Sequence, residues 1–276
     1  MSPAANAIPQ TWHGTFPYGW PYLTCNTFSS ICQMSMNYSA TKSVDAPKPW
    51  FYCKTDHVDW FLPTVMDLVK DEPFILVTGN SDYPINSERA KVLDEYPIHK
   101  WFAINAEHDD PRIAPIPIGI KNEGTPKQGC YTMRKVQDMH LVKSWDVVAN
   151  FNVDTNPRER MSCLSAACVK LQPWKSYDGY LRDIAGSLFT LAPNGNGIDT
   201  HRAWDALYLK SIPVVTRSLL WDSLPGVPAV VLDSWSDFDP SMLTEELYME
   251  KICGFDFDCL YMDRWLGRME DSIRVS

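Results

Sequence analysis

From residue 49 onward the chain alternates between two rhythms. Short apolar runs of strand length recur, and most are followed by apolar residues at helical spacing. In the first half the runs at 50–53, 73–78 and 100–104 predict strands. Val58, Phe61, Leu62, Val65, Leu68 and Val69 mark a helix after the first run, with Pro63 near its first turns. Residues 86–96 predict a second helix. Residues 113–120 carry Pro115 and Pro117 and predict an extended edge, because proline cannot donate to a central ladder. In the second half, 145–151 predicts a strand and 152–156 a loop. Pro157 suits the first position of a helix reaching to about residue 170. A helix over 177–184, strands at 188–192, 212–215 and 228–232, a short helix over 219–224, and closing helices over 240–248 and 258–273 complete the pattern. Such alternation predicts an α/β fold with parallel sheets and crossover helices.

Residues 1–48 lack this rhythm. The stretch 11–22 mixes Trp, Gly and Pro and predicts an irregular arm, and 25–36 a short element. The polar stretch 122–129, N-E-G-T-P-K-Q-G, predicts a linker, followed by a bridging helix over 133–144. The expected organisation is therefore a first domain over 1–125, a second over 126–255, and a closing helix over 256–276 that packs back on the first.

The segment 186–215 reads as strand, glycine-rich turn, helix and strand. Asn194, Gly195, Asn196 and Gly197 cannot continue a strand, and the glycines offer backbone freedom for positive φ. Asp199 or Thr200 can cap the helix that contains Ala203, Trp204, Leu207 and Tyr208. In a parallel sheet this places a turn and a helix N-terminus at the carboxyl edge of the strands, where α/β proteins bind ligands. Backbone N–H groups and the helix dipole there favour an anion such as phosphate.

Composition narrows the partners. Lys and Arg total 25 against 34 Asp and Glu, for a net charge of -9, which suits neither nucleic acid nor an anionic membrane surface. A local arginine cluster could still hold one nucleotide. Residues 1–10 lack a basic region followed by an apolar one, so no signal peptide is expected. No apolar run is long enough to span a membrane, and a soluble, cytoplasmic protein is expected. The 8 cysteines contain no C-x-x-C pair and predict buried, reduced thiols.

The segment L-F-T-L-A-P-N-G-N-G-I-D-T-H-R-A-W-D-A-L-Y-L-K-S-I-P-V-V resembles the donor-binding half of the exostosin-like glycosyltransferases. So do N-F-N-V-D-T-N-P-R-E-R and V-V-L-D-S-W; T-G-N-S-D, W-F-A-I-N and P-I-P-I-G-I in the first half resemble it more loosely. The chain is similar to short, anchorless members encoded by large algal viruses, which would place it in the host cytoplasm. The resemblance implies a GT-B architecture, two Rossmann-like domains facing a central cleft, with the donor on the second. It implies a sugar transfer, with inversion, from a nucleotide-sugar (a UDP-sugar, UDP-xylose among the candidates) to a glycan or glycoprotein acceptor. No cofactor or metal is required. The sequence departs from the family at Asp205, where Glu is commoner, and at Pro193-Asn194, where the family has Arg-Gly.

Sugar transfer needs stabilisation of a departing diphosphate, a base for the acceptor hydroxyl, and placement of both substrates. Arg202, in the first turn of its helix, is the preferred diphosphate ligand, the alternative being a salt bridge to Asp199 or Asp205. Asn194, Gly195, Asn196, Gly197, Asp199 and Thr200 complete the donor loop. Asp205 can accept from ribose hydroxyls or sit on a solvated helix face. Of Arg158 and Arg160, one reaches phosphate and the other is structural. The base is sought across the cleft. Asp82, just past the strand at 74–78, is preferred, and Asp56 or His57 is the alternative. Asn80 and Asn105 are candidates for acceptor hydroxyls. The runs Asp56-His57-Asp59 and His108-Asp109-Asp110 read as solvated loops, since consecutive residues rarely converge on one ion. A non-catalytic nucleotide- or sugar-binding module and a nucleotide-dependent enzyme acting on small molecules remain alternatives.

Overall fold

A computed structural model describes residues 19–37, 40–43, 49–122 and 129–274. Residues 1–10, most of the 11–22 arm, and nearly all of the 122–129 linker with its expected boundary after 125 lie outside these.

The architecture is α/β with two sheets of mainly parallel strands, as two Rossmann-like domains require. The first sheet holds β1 (Met34–Asn37), β2 (Ala40–Ser43), β3 (Trp50–Lys54), β4 (Phe74–Gly79), β5 (Ile98–Ala103) and β6 (Ile113–Pro115), in the order β2-β1-β3-β4-β5-β6. β1 and β2 pair antiparallel, and the other neighbours are parallel. The proline-bearing β6 lies at the edge, as expected. The second sheet holds β7 (Trp145–Val148), β8 (Ser187–Leu191), β9 (Ile212–Thr216) and β10 (Val230–Leu232), all parallel, in the order β10-β9-β8-β7. The helices are α1 (Cys25–Ser30), α2 (Val58–Val69), α3 (Val92–Glu95), α4 (Cys130–Gln137), α5 (Pro157–Ala167), α6 (Tyr177–Ala185), α7 (His201–Tyr208), α8 (Leu219–Asp222), α9 (Glu245–Ile252) and α10 (Met262–Arg274).

Successive strand residues point to opposite faces, and this period builds the cores. Phe51, Cys53, Phe74, Leu76, Trp101 and Ala103 pack outward against Val58, Phe61, Leu62 and Val65 of α2. Phe189, Leu191, Ile212, Val214, Val230 and Leu232 form an outer core on the second sheet with Cys163 and Trp235. The remaining positions, Trp50, Tyr52, Ile75, Val77, Phe102 and Ile104, face inward. They belong to one cluster with Val148, Trp204, Leu207, Tyr208 and Trp221, so a single core spans both halves. Met262, Trp265 and Met269 of α10 join it. Trp265 meets Phe28 edge-on at 6.5 Å, and Met262 N–H donates to the Pro21 carbonyl at 2.8 Å.

Local chemistry sets the ends. Pro157 opens α5, where its missing N–H costs nothing, and Asn156 Oδ1 accepts from Glu159 N–H at 3.3 Å. Pro63 sits inside α2. The helix expected over 86–96 is reduced to a tight turn over 89–91 and the one-turn α3. The Asn86 side chain accepts from Arg89 N–H, a local bond that competes with a continuous helix, and Arg89 Nη1 reaches the distant Thr55 carbonyl at 3.1 Å. The helix expected over 133–144 lies earlier, because Asp138 ends it and His140 is left-handed at φ 47°.

Trp204 is wholly buried in the shared core and stacks on Trp221 with ring centroids 5.7 Å apart. Trp204→Ala is expected to lower unfolding stability by about 3–5 kcal/mol in chemical denaturation. A loss below about 1 kcal/mol would mean that the two halves do not share this core.

Candidate functional site

The carboxyl ends of the two sheets meet, and polar contacts join them. Asp199 Oδ2 accepts from Ile118 N–H of the first half at 2.7 Å, and both its oxygens accept from Trp204 Nε1 at 2.9 and 3.0 Å. Asp199 N–H donates to Asn105 Oδ1 at 3.1 Å, and Asn105 Nδ2 donates to the Ser81 carbonyl at 3.1 Å. His201 Nδ1 lies 2.7 Å from the Gly119 carbonyl. Asn196 Nδ2 donates to Asp82 Oδ2 at 3.1 Å. Burial pushes the Asp199 carboxyl up to about 7, against the hydrogen bonds it receives.

Two cavities open at this junction. One, of ≈ 800 Å³, lies against the second sheet and is lined by Arg160, Arg202, Phe151, Tyr177, Tyr180 and Trp174 among others. The second, of ≈ 1060 Å³, lies against the first sheet and is lined by Asn26, Lys54, Asp56, Asn80, Tyr83 and Asn122 among others. Asp82, Ile118, Lys121, Asn196 and His201 line both. A separate cavity of ≈ 860 Å³, between Trp221, Trp265, Arg217 and Arg268, is lined by none of the sequence-selected residues.

Two guanidinium groups face the first cavity. Arg202 lies over the Phe151 ring at 5.2 Å and over Tyr180 at 5.9 Å; Arg160 lies over Phe151 at 5.7 Å. Arg160 is buried, donates from Nε to the Asn194 carbonyl at 3.0 Å, and bonds the Asn152 carbonyl through Nη1. Burial, then the charge of Arg202, pulls its pKa down to about 10. Arg202 makes one long hydrogen bond, from Nη2 to the Asn150 carbonyl at 3.4 Å. Its Nε is buried with no hydrogen-bond partner among the described residues, and so is Asn150 Oδ1. A buried guanidinium N–H without an acceptor, beside a second cation and in the first turn of α7, is a place for an anion.

The other sequence-selected residues divide sharply. Thr200 is the N-cap residue of α7, makes no side-chain cap bond, and lines the first cavity. Gly195 and Gly197 do not have positive φ. Close approach constrains them instead, tightly at Gly197 and less so at Gly195. A Cβ on Gly195 would sit 3.0 Å from Arg160 Nη2, and one on Gly197 would sit 2.6 Å from Asn105 Nδ2. The Gly195 N–H is engaged by the Gly197 carbonyl at 3.1 Å, so it is not a free donor. Asp205 is buried, and its oxygens accept from Tyr177 and Tyr180 hydroxyls at 3.2 and 3.1 Å. Asn105 is buried and ties Ser81 to Asp199. Arg158 is exposed and lines neither cavity. Asp82 is exposed on the ridge between the cavities, whereas His57 packs against Trp60 at 5.3 Å and lines neither. Asp56 lines the second cavity, 3.1 Å from Lys54 Nζ. Burial raises its carboxyl, but bonds from Ser81 and Lys54 outweigh that and hold it below the usual range. Asn80 lines the same cavity and accepts from Asn122 Nδ2 at 2.7 Å.

His201, Asn150, Lys121, Tyr177 and Tyr180 complete the site and escaped the sequence reading. His201 had a signal, since it stands between the cap residue and Arg202. The tyrosines had one too: their spacing on α6 puts both hydroxyls on one face.

No family model matches this chain, and no curated protein matches it. A solved alpha1,3-fucosyltransferase is similar in shape at a TM-score of 0.34 and 12% sequence identity, over 86% of this chain and 93% of that one. A likeness so distant assigns no activity. No helix among the described residues is long and apolar enough to cross a membrane.

Burial also pushes the Asp205 carboxyl up to about 7, against the two tyrosine bonds and the charge of Arg202. A carboxyl raised by folding holds its proton more tightly in the native state. Its contribution to stability is complete below the unfolded value of about 4 and is lost as pH rises through the folded value. The melting temperature of the native protein relative to Asp205→Asn should therefore be higher at pH 5 than at pH 8. An equal difference at the two pH values would show that Asp205 does not titrate in this window.

Proposed function

We propose that this protein is a glycosyltransferase that moves a sugar from a nucleotide-sugar donor to a hydroxyl of a glycan acceptor. One observation carries the reading. The unpartnered Arg202 Nε, beside Arg160 at the start of α7, faces a cavity that opens directly into a second, neutral one. A dianionic diphosphate suits the two guanidiniums, and its departure leaves negative charge where they stand. The sugar end of such a donor would then point toward Asp82, Asn196, His201 and Lys121, where the cavities join.

The second cavity has the chemistry of a carbohydrate groove. Asn26, Asn80 and Asn122, bonded to one another, form a polar wall, and Tyr83, which is 54% exposed, supplies a ring at the rim. An acceptor lying there approaches the anomeric carbon from the side opposite the diphosphate, the geometry of inversion. A proton acceptor must stand at the boundary, and Asp82 and His201 both do. The donor is proposed to be a UDP-sugar, with UDP-xylose among those to be tried, on the resemblance of 186–215 to the exostosin-like donor half. Exposed Trp174 and the stacked pair Tyr177 and Tyr180 offer rings for the nucleoside end.

Arg202→Ala should weaken binding of a nucleoside diphosphate by roughly 10- to 100-fold, as expected for charge-assisted hydrogen bonds of about 1.5–3 kcal/mol. Calorimetric titration of both proteins with UDP and GDP measures this. Equal affinities would remove Arg202 from the donor site. Tight nucleotide binding with no sugar transferred to any glycan would leave a binding module.

A further inference from the structure

The group that takes the acceptor's proton can be chosen on geometry. His201 is the first residue of α7, and its ring lines both cavities. Its Nδ1 lies 2.7 Å from the Gly119 carbonyl, which can only accept, so Nδ1 carries the hydrogen. In the neutral ring the lone pair is then on Nε2. His201 makes no other hydrogen bond to the described residues, so Nε2 is without a partner among them on a residue that lines both cavities. Asp82 lines both cavities too, but it differs in burial and in hydrogen bonding. It is exposed, and one of its oxygens already accepts from Asn196.

We propose that His201 Nε2 is the general base of the transfer, with the carboxylate of Asp82 stabilising the imidazolium as it forms. This rests on the glycosyltransferase reading. In the step, Nε2 takes the proton of the acceptor hydroxyl while that oxygen bonds to the anomeric carbon. The bond from that carbon to the diphosphate oxygen breaks, and its electron pair leaves on the diphosphate beside Arg202 and Arg160. The imidazolium then returns its proton to water.

The surroundings suit the role. The charged groups facing the ring are Arg202 on its own helix, Lys121 beyond Gly119, and Asp82 after β4. Asp199, two residues earlier, is engaged by Ile118 and Trp204. Burial holds the imidazole below its usual value, opposed by the bond to Gly119 and aided by Lys121. His201 is therefore neutral at pH 7, with a ring nitrogen unprotonated. Asp82 acts the other way, favouring the charged ring.

The test uses the full chain, a panel of UDP- and GDP-sugars, and glycan acceptors. In His201→Asn the new amide can keep the bond to Gly119 but lacks the distal nitrogen. Its affinity for the nucleoside diphosphate should stay within about threefold of the native value, while transfer falls roughly 10²- to 10⁴-fold and the acidic limb of the kcat profile disappears. Asp82→Asn should keep that limb but move it to lower pH, because the anion that favours the imidazolium is gone. Native-like transfer by His201→Asn, or an unmoved limb in Asp82→Asn, would overturn the assignment. Loss of all transfer in Asp82→Asn with His201→Asn still active would make Asp82 the base. If His201→Asn fails to bind nucleotide, the limb of Asp82→Asn decides alone. No transfer by the native protein with any donor would overturn the glycosyltransferase reading and this assignment together, whereas transfer that survives in His201→Asn overturns only the latter.

Discussion

A single buried carboxylate, that of Asp199, holds the two halves in register. Its donors come from both sides, Ile118 N–H from the first half and Trp204 Nε1 from the second, and its own N–H reaches back to Asn105. Removing a carboxylate from water is costly unless its lone pairs are filled, and this one is filled only when α7 stands against the strand ends of the first sheet. The positions of Arg202 and His201 follow, since both lie within the next turn of chain. The apolar core shared by both sheets fixes the approach of the domains, and Asp199 selects one arrangement within it.

That arrangement brings two guanidiniums together at one cavity of an acidic protein. The net charge is -9, yet Arg160 and Arg202 share the Phe151 ring and the second lacks an acceptor for Nε among the described residues. Two like charges held this close are mutually destabilising, and an anion between them reverses the sign. Lys121, contributed by the first half, adds a cation at the boundary only when the halves are docked. In the proposed function, the charge that would recognise a donor is in this way tied to the geometry that would admit an acceptor.

The strands were legible in the sequence because parallel β–α units write their period into the apolar residues. Phe74, Leu76 and Trp101 face one core while Ile75, Val77 and Phe102 face the other, and both sets are apolar. The helix start that carries Arg202 was legible because a helix beginning after a glycine turn is a local feature. What the sequence does not write down is any partner distant in the chain. Asn105 is engaged by Asp199 and Ser81, and Asp205 lines the first cavity with its oxygens held by two tyrosines of α6. Gly195 and Gly197 look like conformational glycines in sequence, but neither has positive φ, and Gly197 is small because Asn105 lies against it. His201 was passed over because its significance comes from Gly119, far away in the chain.

The central claim is that the junction cavity binds a nucleoside diphosphate through Arg202. A crystal structure with UDP or a UDP-sugar tests it most directly. The account predicts a diphosphate oxygen within about 3 Å of Arg202 Nε, with the ring of His201 facing the anomeric carbon. A nucleotide seated in the separate cavity between Trp221 and Trp265, with Arg202 still unpartnered, would contradict it.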